Sequence, residues 1–302
     1  MIKVVNSQTL RALLLLTLLG FIWGSGYTLA KYAMTNGVSP LGYAFWQSCG
    51  PALLLTGLCL LSGNGPFLNL RYWPYFLICG LIGITIPNTN MYFIASHIPA
   101  GLLAVLVNTV PLFVYPMALF AKQEHYDGWR VLAIMIGLIG ILMIIDPTMQ
   151  GLLSSWSLLA LISPFGFALC SIYITAKQPS ALNALRGASG MLIASSLLLL
   201  PLVLQQHAFY PLTLPLSTPQ QVVILEIILS SIGYLLFFKL LSMAGPVFYS
   251  LTGGIVALTG LFWDFVVFDA LPDKTRALAS LLIIFALFLL SWRQSRQLQE
   301  AR

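Results

Sequence analysis

Long stretches of apolar residues, separated by short polar turns, follow one another along the whole chain. About 20 apolar residues in a helix cross the roughly 30 Å hydrocarbon core of a bilayer. Counted in this way, the pattern predicts an all-α polytopic membrane protein with ten transmembrane helices. The predicted spans lie at approximately 11–33, 41–61, 73–95, 100–121, 129–146, 156–177, 182–204, 219–241, 246–268 and 275–292.

The composition agrees with a surface that faces lipid. Charged residues make up 7% of the 302 residues, hydrophobic residues make up 59%, and the mean hydropathy is +0.93. A soluble domain carries roughly 25% charged residues. Four cysteines lie inside apolar stretches without the spacing of metal ligands, so we expect them to be packing residues and not a disulfide framework.

The net charge of +6 describes orientation and does not indicate a nucleic-acid partner. With the N-terminus in the cytoplasm, ten spans return the C-terminus to the cytoplasm, and 11 of the 14 Lys and Arg residues fall on that side. The 11 residues are Lys3, Arg11, Arg71, Lys122, Arg130, Lys177, Arg186, Lys239, Arg293, Arg296 and Arg302. We therefore expect both termini in the cytoplasm and the chain in the inner membrane of a bacterium.

Two stretches of the chain, 95–144 and 240–290, share one order of features. Each has a tight Pro/Gly turn, a helix rich in small residues, an acidic residue (Glu124 or Asp269), a basic residue (Arg130 or Arg276) and a last apolar helix. Five spans separate the two stretches, and an odd repeat unit inverts the topology. The sequence therefore predicts a 5+5 inverted-topology repeat, with halves at 1–150 and 151–302, which is a recurrent transporter architecture.

Three motifs resemble those of a known family. The opening "FIWGSGYTLAKYAMTNGVSP", the "P…KQE…G…IGLIGI" run and the "GP…S" turn are similar to those of EamA-type drug/metabolite transporters. The resemblance covers essentially the whole chain. It implies ten helices in an inverted repeat that move small metabolites by alternating access. Members of that family carry amino acids, other polar metabolites or toxic compounds.

Polar residues in six of the spans fall at a similar predicted depth. The run "PNTN" at 87–90 lies inside the third span, where a proline removes a backbone hydrogen bond and amides are costly. At 1.5 Å per residue, polar side chains of six spans lie roughly 10–12 Å below the outer face. They are Ser25, Gln47, Asn88, Asn108, Ser163 and Glu226. This common depth favours a polar cavity, whereas hydrogen bonding between packed helices is the alternative for each residue alone.

Helical spacing extends this layer into faces that line one space. Trp23, Tyr27 and Lys31 share one face of the first span, and Glu226 and Ser230 share one face of the eighth. Asn88 and Tyr92 share a face of the third span, but Asn90 is about 200° away, so we expect Asn90 to hydrogen-bond a neighbouring helix. Gly20 and Gly24 form a GxxxG pair, which predicts close helix packing. The predicted substrate-binding residues are Trp23, Tyr27, Lys31, Gln47, Asn88, Tyr92, Asn108, Ser163 and Ser230.

Ionisable residues inside a span must face a cavity or a partner, because a charge that faces lipid costs several kcal/mol. Glu226 is therefore predicted to couple transport to protons or to balance the charge of a substrate amine. A structural carboxyl that is protonated or paired with Lys31 is the alternative. Asp264 is a second candidate for the same role, or it reaches the headgroups. Glu124, Asp127 and Arg130, with the matching Asp269, Asp273 and Arg276, are expected to be solvated caps and turn locks.

The sequence predicts no enzyme and no cofactor or metal. The histidines are scattered, and no HExxH or GxxxxGK[ST] motif is present. We expect a secondary transporter of small polar or amphiphilic metabolites, with amino acids or related compounds first. The alternatives are an exporter of lipophilic cations or drugs, and a membrane scaffold or receptor that transports nothing. The expected partners are a small-molecule substrate and the lipid bilayer, and a monomer is expected before a homodimer.

Overall fold

The computed structural model describes residues 7–63, 69–94, 106–145, 155–268 and 274–300, and every regular element in these ranges is helical. The helices follow the predicted apolar segments in order. They are α1 (Ser7–Thr35), α2 (Pro40–Leu61), a 3-10 turn (Leu70–Tyr72), α3 (Trp73–Gly80), a π-helical turn (Leu81–Thr85), α4 (Ile86–Ile94), α5 (Val110–Phe120), α6 (Gly128–Ile145), α7 (Ser155–Ala160), α8 (Ile162–Lys177), α9 (Ala184–Gln205), α10 (Thr218–Tyr249), α11 (Thr252–Phe268) and α12 (Lys274–Glu300).

Six helical segments of the described chain are long and apolar enough to cross a membrane. They are Leu10–Thr35, Pro40–Leu61, Leu70–Met91, Leu158–Lys177, Ala184–Gln205 and Thr218–Tyr249. Three shorter apolar segments are Val110–Phe120, Gly128–Gly140 and Ala277–Ala286. Large apolar side chains such as Leu53, Leu61 and Phe288 are exposed, as suits a lipid-facing surface. The chain is thus a polytopic helical membrane protein, and the count of ten spans and the side of each terminus stay predictions.

The helices pack in a small set of pairs. Helix α1 contacts α10 and α11, whereas α8 contacts α4 and α5. Helix α2 packs along α9, and α6 packs along α12. The α2–α9 contact contains hydroxyl pairs, because Thr56 Oγ1 lies 2.9 Å from Ser189 Oγ and Ser48 Oγ lies 3.3 Å from Ser195 Oγ. Such hydrogen bonds hold helices together where the surroundings are apolar.

Glycines allow α1 to approach α11 closely. A Cβ built on Gly20 would lie 2.4 Å from Cβ of Ile255, and one built on Gly24 would lie 1.9 Å from Oγ1 of Thr259. The Thr259 hydroxyl donates to the Gly20 carbonyl at 3.1 Å. The GxxxG pair therefore packs two helices, as the sequence predicts.

Two helix breaks interrupt segments that the sequence predicts to be continuous helices. The backbone turns at residues 108–109, before α5, and again at residues 250–251, between α10 and α11. Pro111 explains the first break, because proline has no N–H to donate to the preceding turn and its ring clashes there. Ahead of the second break, α10 is kinked at Gly245, whose φ of +77° lies in the left-handed region that glycine tolerates.

The π-helical turn Leu81–Thr85 stands directly before α4, two residues ahead of Pro87. In a π turn the hydrogen bonds run from residue i to i+5, so one turn accommodates an extra residue. Gly83 lies in this turn, where a Cβ would come within 2.4 Å of Cys170 Sγ. The turn therefore brings the backbone of the third predicted span close to α8.

Two charged residues at the turn between α5 and α6 are buried, which corrects the expectation that they are solvated, although Tyr126 and Trp129 beside them are exposed. Asp127 is 6% exposed and Arg130 is 2% exposed. Arg130 Nη1 lies 2.6 Å from Glu124 Oε2, and Asp127 pairs with Arg293 of α12. The cost of burying these two charges is therefore offset by ion pairs, one with Glu124 and one with Arg293 of α12. Asp269 and Asp273 lie outside the described residues, as does the side chain of Arg276.

Candidate functional site

A central cavity of about 180 Å³ lies between the helices. Residues from both predicted halves line it, including Asn108 and Ser250 at the two helix breaks. The lining residues that bear on its chemistry are Trp23, Gly26, Gln47, Asn88, Asn108, Glu226, Ser230, Tyr234, Phe237, Tyr249, Ser250 and Gly253. Among the described residues that line the cavity, Glu226 is the one Asp, Glu, Lys or Arg residue.

The Glu226 carboxyl group is held by donors from two helices. Its Oε1 atom accepts a hydrogen bond from Ser230 Oγ at 2.7 Å and one from Gln47 Nε2 at 2.9 Å. Gln47 Oε1 in turn accepts from Asn88 Nδ2 at 3.3 Å. The Tyr43 hydroxyl also lies within interaction range of the carboxyl group. A short amide chain thus connects α4, α2 and α10 at one end of the cavity.

The second oxygen of this carboxyl group lies beside a glycine of α1. A Cβ built on Gly26 would lie 3.7 Å from Glu226 Oε2 and 3.9 Å from Oε1. The residue at this position therefore leaves the carboxyl group uncovered on its α1 side. Because Gly26 and Glu226 both line the cavity, a cationic group in the cavity could approach the carboxyl group there.

Aromatic rings form another wall of the cavity around Trp23. The Trp23 ring centroid lies 6.0 Å from that of Phe237, 6.1 Å from that of Tyr249 and 6.3 Å from that of Tyr234. Phe237 and Tyr249 are themselves 4.8 Å apart. Such rings bury apolar groups, and their faces attract cations. One cavity therefore offers a carboxylate with amide donors and acceptors, and an aromatic surface.

The two helix breaks meet at the cavity. A Cβ on Gly253, just after the second break, would lie 2.8 Å from Oδ1 of Asn108, which stands at the first break. Ser250 at the second break also lines the cavity. Irregular backbone at membrane depth is tolerated where it is buried in protein or lines a cavity. The breaks therefore account for the place where two otherwise apolar segments expose polar groups.

The structure brings together six of the residues predicted to form the site, because all six line the cavity. These residues are Trp23, Gln47, Asn88, Asn108, Glu226 and Ser230. The side chains of Tyr27, Lys31, Tyr92 and Asp264 lie outside the described part of the structure.

Ser163, which was predicted to bind substrate, is not among the residues that line the cavity. Its hydroxyl donates to the Pro87 carbonyl at 2.8 Å and accepts from Asn90 Nδ2 at 2.9 Å. Asn90 also donates to the Leu159 carbonyl at 3.0 Å. Both residues join α4 to the helices that pack on it, which is the role that helical spacing predicts for Asn90.

Several residues of the cavity were not predicted as site residues. Phe237 and Tyr249 complete the aromatic wall, and Gly26 borders the carboxyl group. The position of Phe237, seven residues after Ser230 on α10, is a signal that could have indicated it, because residues seven apart share a helix face. Within the described residues, no group of three or more His, Cys, Asp or Glu residues could hold a metal ion.

Comparison with known proteins finds a family and several relatives that are similar to this chain. Residues 10–146 match the EamA-like transporter family. The chain is 27% identical over 237 residues to the uncharacterized transporter YvbV of Bacillus subtilis (strain 168), covering 76% of this chain and 75% of that protein. It is 30% identical over 190 residues to the uncharacterized inner membrane transporter YedA of Escherichia coli (strain K12), covering 59% of this chain and 58% of that protein.

Two further matches are partial in different ways. An uncharacterized transporter of Clostridium kluyveri is 29% identical over 89 residues, which cover 29% of either chain, so the match spans less than a third of that relative. A solved crystal structure of a protein superposes with a TM-score of 0.74, covering 95% of this chain and 98% of its own at 15% identity, and so shows the same fold. Residues 10–146 of this multi-pass helical protein are thus similar to the EamA-like transporter family, and the relatives that it matches are named as transporters.

Proposed function

We propose that this protein is a secondary transporter in the inner membrane of a bacterium, which moves small polar or amphiphilic metabolites by alternating access. Amino acids or related compounds are the leading substrates. The observation that carries the proposal is the central cavity, where Glu226, Gln47 and Asn88 form a hydrogen-bonded cluster beside an aromatic wall. A solute with an ammonium group and an apolar body matches both surfaces.

The packing of the helices supports a two-fold inverted arrangement. If the halves are 1–150 and 151–302, the contacts of α1 with α10 and α11 correspond to the contacts of α8 with α4 and α5. When the two halves are exchanged, the α2–α9 pair maps onto itself, and so does the α6–α12 pair. Two halves that pack in equivalent ways can exchange their roles, so that the cavity opens first to one side and then to the other.

Glu226 is the proposed coupling group. It is 4% exposed, and a buried carboxylate is costly unless a proton or a cation neutralises it or hydrogen bonds compensate for the lost water. Two donors on Oε1 offset part of this cost. A substrate ammonium and a proton can therefore alternate at the same carboxyl group, which is the condition for exchange of one for the other.

The aromatic wall also favours a second candidate, the export of lipophilic cations. Three rings around Trp23 and one carboxyl group provide the two attractions that an organic cation needs. The two candidates differ in whether the substrate also carries a carboxylate.

Transport by the purified protein in liposomes tests the proposal. Labelled L-amino acids and a labelled lipophilic cation, tetraphenylphosphonium, are offered in separate assays, with protein-free liposomes as the control. Accumulation of an amino acid above the control supports the leading function. Accumulation of the cation alone supports the second candidate, and no accumulation of either class contradicts both substrate assignments.

Gly26→Ala is expected to weaken substrate binding without harming the fold. The added methyl group would make ordinary contacts of 3.7 and 3.9 Å with the Glu226 carboxyl group, so it fits, but it covers the side that a cation would approach. We expect about a tenfold loss of affinity, which corresponds to about 1.4 kcal/mol. Titration of binding by the change in melting temperature measures it.

Gly57→Ala is the matched control for this variant. Gly57 also lies in a helix, but a Cβ built on it meets no heavy atom within 4 Å, so binding should be unchanged. Equal affinities for Gly26→Ala and Gly57→Ala would contradict the approach of a cation from the α1 side.

A further inference from the structure

A second and smaller cavity, which we call the side cavity, lies between α5, α6, α11 and α12. Its volume is about 30 Å³. It is lined by Asn108, Pro111, Leu112, Ala133, Ile134, Gly137, Leu138, Ser250, Leu251, Gly254, Ile283 and Ala286. The α6–α12 pair forms one wall, and the segments that follow the two helix breaks form the other.

The side cavity adjoins the central cavity. Asn108 and Ser250 line both spaces, and they stand at the two helix breaks. A solute held in the central cavity therefore has the side cavity next to it, past the Asn108 amide. Apart from these two polar residues, every described lining residue of the side cavity is apolar.

The size and lining of the side cavity define what fits there. A cavity volume of about 10–15 Å³ is needed to hold one group of the size of a water molecule. A volume of about 30 Å³ therefore holds about two methyl-sized groups. Because ten of the twelve lining residues are apolar, the cavity suits an apolar occupant, and an acyl chain of a lipid is far longer than this space. A short aliphatic group matches both the volume and the apolar wall.

We propose that the side cavity is a specificity subsite, which binds a short aliphatic substituent of the transported amphiphile, one to two carbons beyond its β-carbon. The inference rests on the proposed function, since it assigns the substrate's ammonium group to Glu226 and its aliphatic end to the side cavity. The substrate class is then an α-amino acid or related amine with a small aliphatic side chain.

Two glycines of α6 support the side cavity as a binding site, because they differ in whether a methyl group would fit in their place. A Cβ on Gly140 would lie 2.7 Å from Cγ1 of Ile283, so this glycine is required for the packing of α6 on α12. A Cβ on Gly137 would lie 3.4 Å from Cβ of Ala286, which is an ordinary contact. Packing therefore does not require glycine at 137, and the missing methyl group leaves space in the side cavity.

Gly137→Ala tests the proposal, because it fills the side cavity without a clash. The probes are glycine, L-alanine, L-2-aminobutyrate, L-norvaline and L-norleucine, whose side chains grow one carbon at a time. The affinity for each probe is measured by its competition with the uptake of a labelled L-amino acid into liposomes. In the unaltered protein we expect affinity to rise about tenfold for each carbon that enters the side cavity, and to stop rising at L-norvaline. Gly137→Ala should lower the affinity for L-norvaline about tenfold and leave that for L-alanine unchanged.

Two further variants keep the test decisive. Gly57→Ala is the matched control in another helix, and its affinities for the five probes should equal those of the unaltered protein. Leu112→Ala removes a lining side chain that is 37% exposed, so we expect the protein to fold and the preference to move to L-norleucine.

The possible results separate this inference from the proposed function. If Gly137→Ala leaves the affinities for the five probes unchanged, or lowers all five equally, the side-cavity assignment is overturned while the proposed function stands. If no probe competes in the unaltered protein, the amino-acid assignment itself fails, and this inference fails with it.

Discussion

Glu226→Gln is expected to abolish the dependence of transport on pH and to lower substrate affinity by about 10- to 100-fold. The amide can neither bind a proton in this pH range nor balance a substrate ammonium group. Loss of a hydrogen bond to a charged group costs about 1.5–3 kcal/mol, which corresponds to this range of affinities. The measurement is substrate uptake into liposomes at several pH values, together with a pH-sensitive dye inside the vesicles.

The controls for this experiment lie on the same helix. Ser230 donates to Glu226 Oε1, whereas the Ser231 hydroxyl donates to the Ile227 carbonyl and does not line the cavity. Ser230→Ala should therefore weaken transport, and Ser231→Ala should leave it unchanged. A wild-type rate and pH profile in Glu226→Gln would show that the carboxyl group has no part in coupling.

Asp127→Ala is expected to destabilise the protein by about 2–4 kcal/mol. Asp127 caps α6, because its Oδ1 accepts from the Trp129 N–H at 2.9 Å, and it pairs with Arg293 of α12. Loss of a helix cap costs about 1 kcal/mol, and loss of the ion pair to this buried carboxylate accounts for the rest. Thermal unfolding in detergent at neutral pH measures the change.

Asp127→Asn separates the cap from the charge. Asparagine is also a good cap, so this variant should lose less stability than Asp127→Ala. Burial raises the pKa of Asp127, but hydrogen bonds from Arg293 and from the Trp129 N–H outweigh burial, so the net pKa lies below its ordinary value of 3.8.

A group with a lowered pKa stabilises the fold above its unfolded pKa, and this contribution is lost as the pH falls through the folded pKa. The difference in stability between the unaltered protein and Asp127→Asn should therefore shrink in acid below about pH 4. A difference that stays constant from pH 7 to pH 3 would contradict this role of the charge.

Sequence alone predicted the elements that depend on local pattern. Apolar runs of sufficient length predicted the helical segments. The GxxxG spacing predicted close helix packing, and Gly20 and Gly24 indeed lie against α11. It also predicted the central polar cluster, because a carboxyl and two amides inside apolar spans have few other places to go. The structure places Glu226, Asn88 and Asn108 on one cavity.

The sequence did not predict which neighbouring helix each side chain faces. Ser163 was predicted to bind substrate from its depth, but depth along one helix does not say which neighbour a side chain faces, and its hydroxyl donates to the Pro87 carbonyl. The aromatic wall needs contacts between α1 and α10, which lie some 200 positions apart in the chain, and no local pattern encodes that pairing. The ion pair of buried Asp127 likewise depends on Arg293 of α12, which lies 166 positions further along the chain, so the sequence near Asp127 does not predict it.

The π-helical turn Leu81–Thr85 makes the site sensitive to the number of residues before it. Each residue of a helix rotates the chain by about 100°. Deleting one residue from this turn would restore regular helix and rotate α4 by that angle, so that Asn88 would leave the cavity and lose Gln47. A point substitution can alter one wall of the cavity, but a single-codon deletion here would reorient a whole wall, and we expect relatives that keep the asparagine to keep the extra residue too.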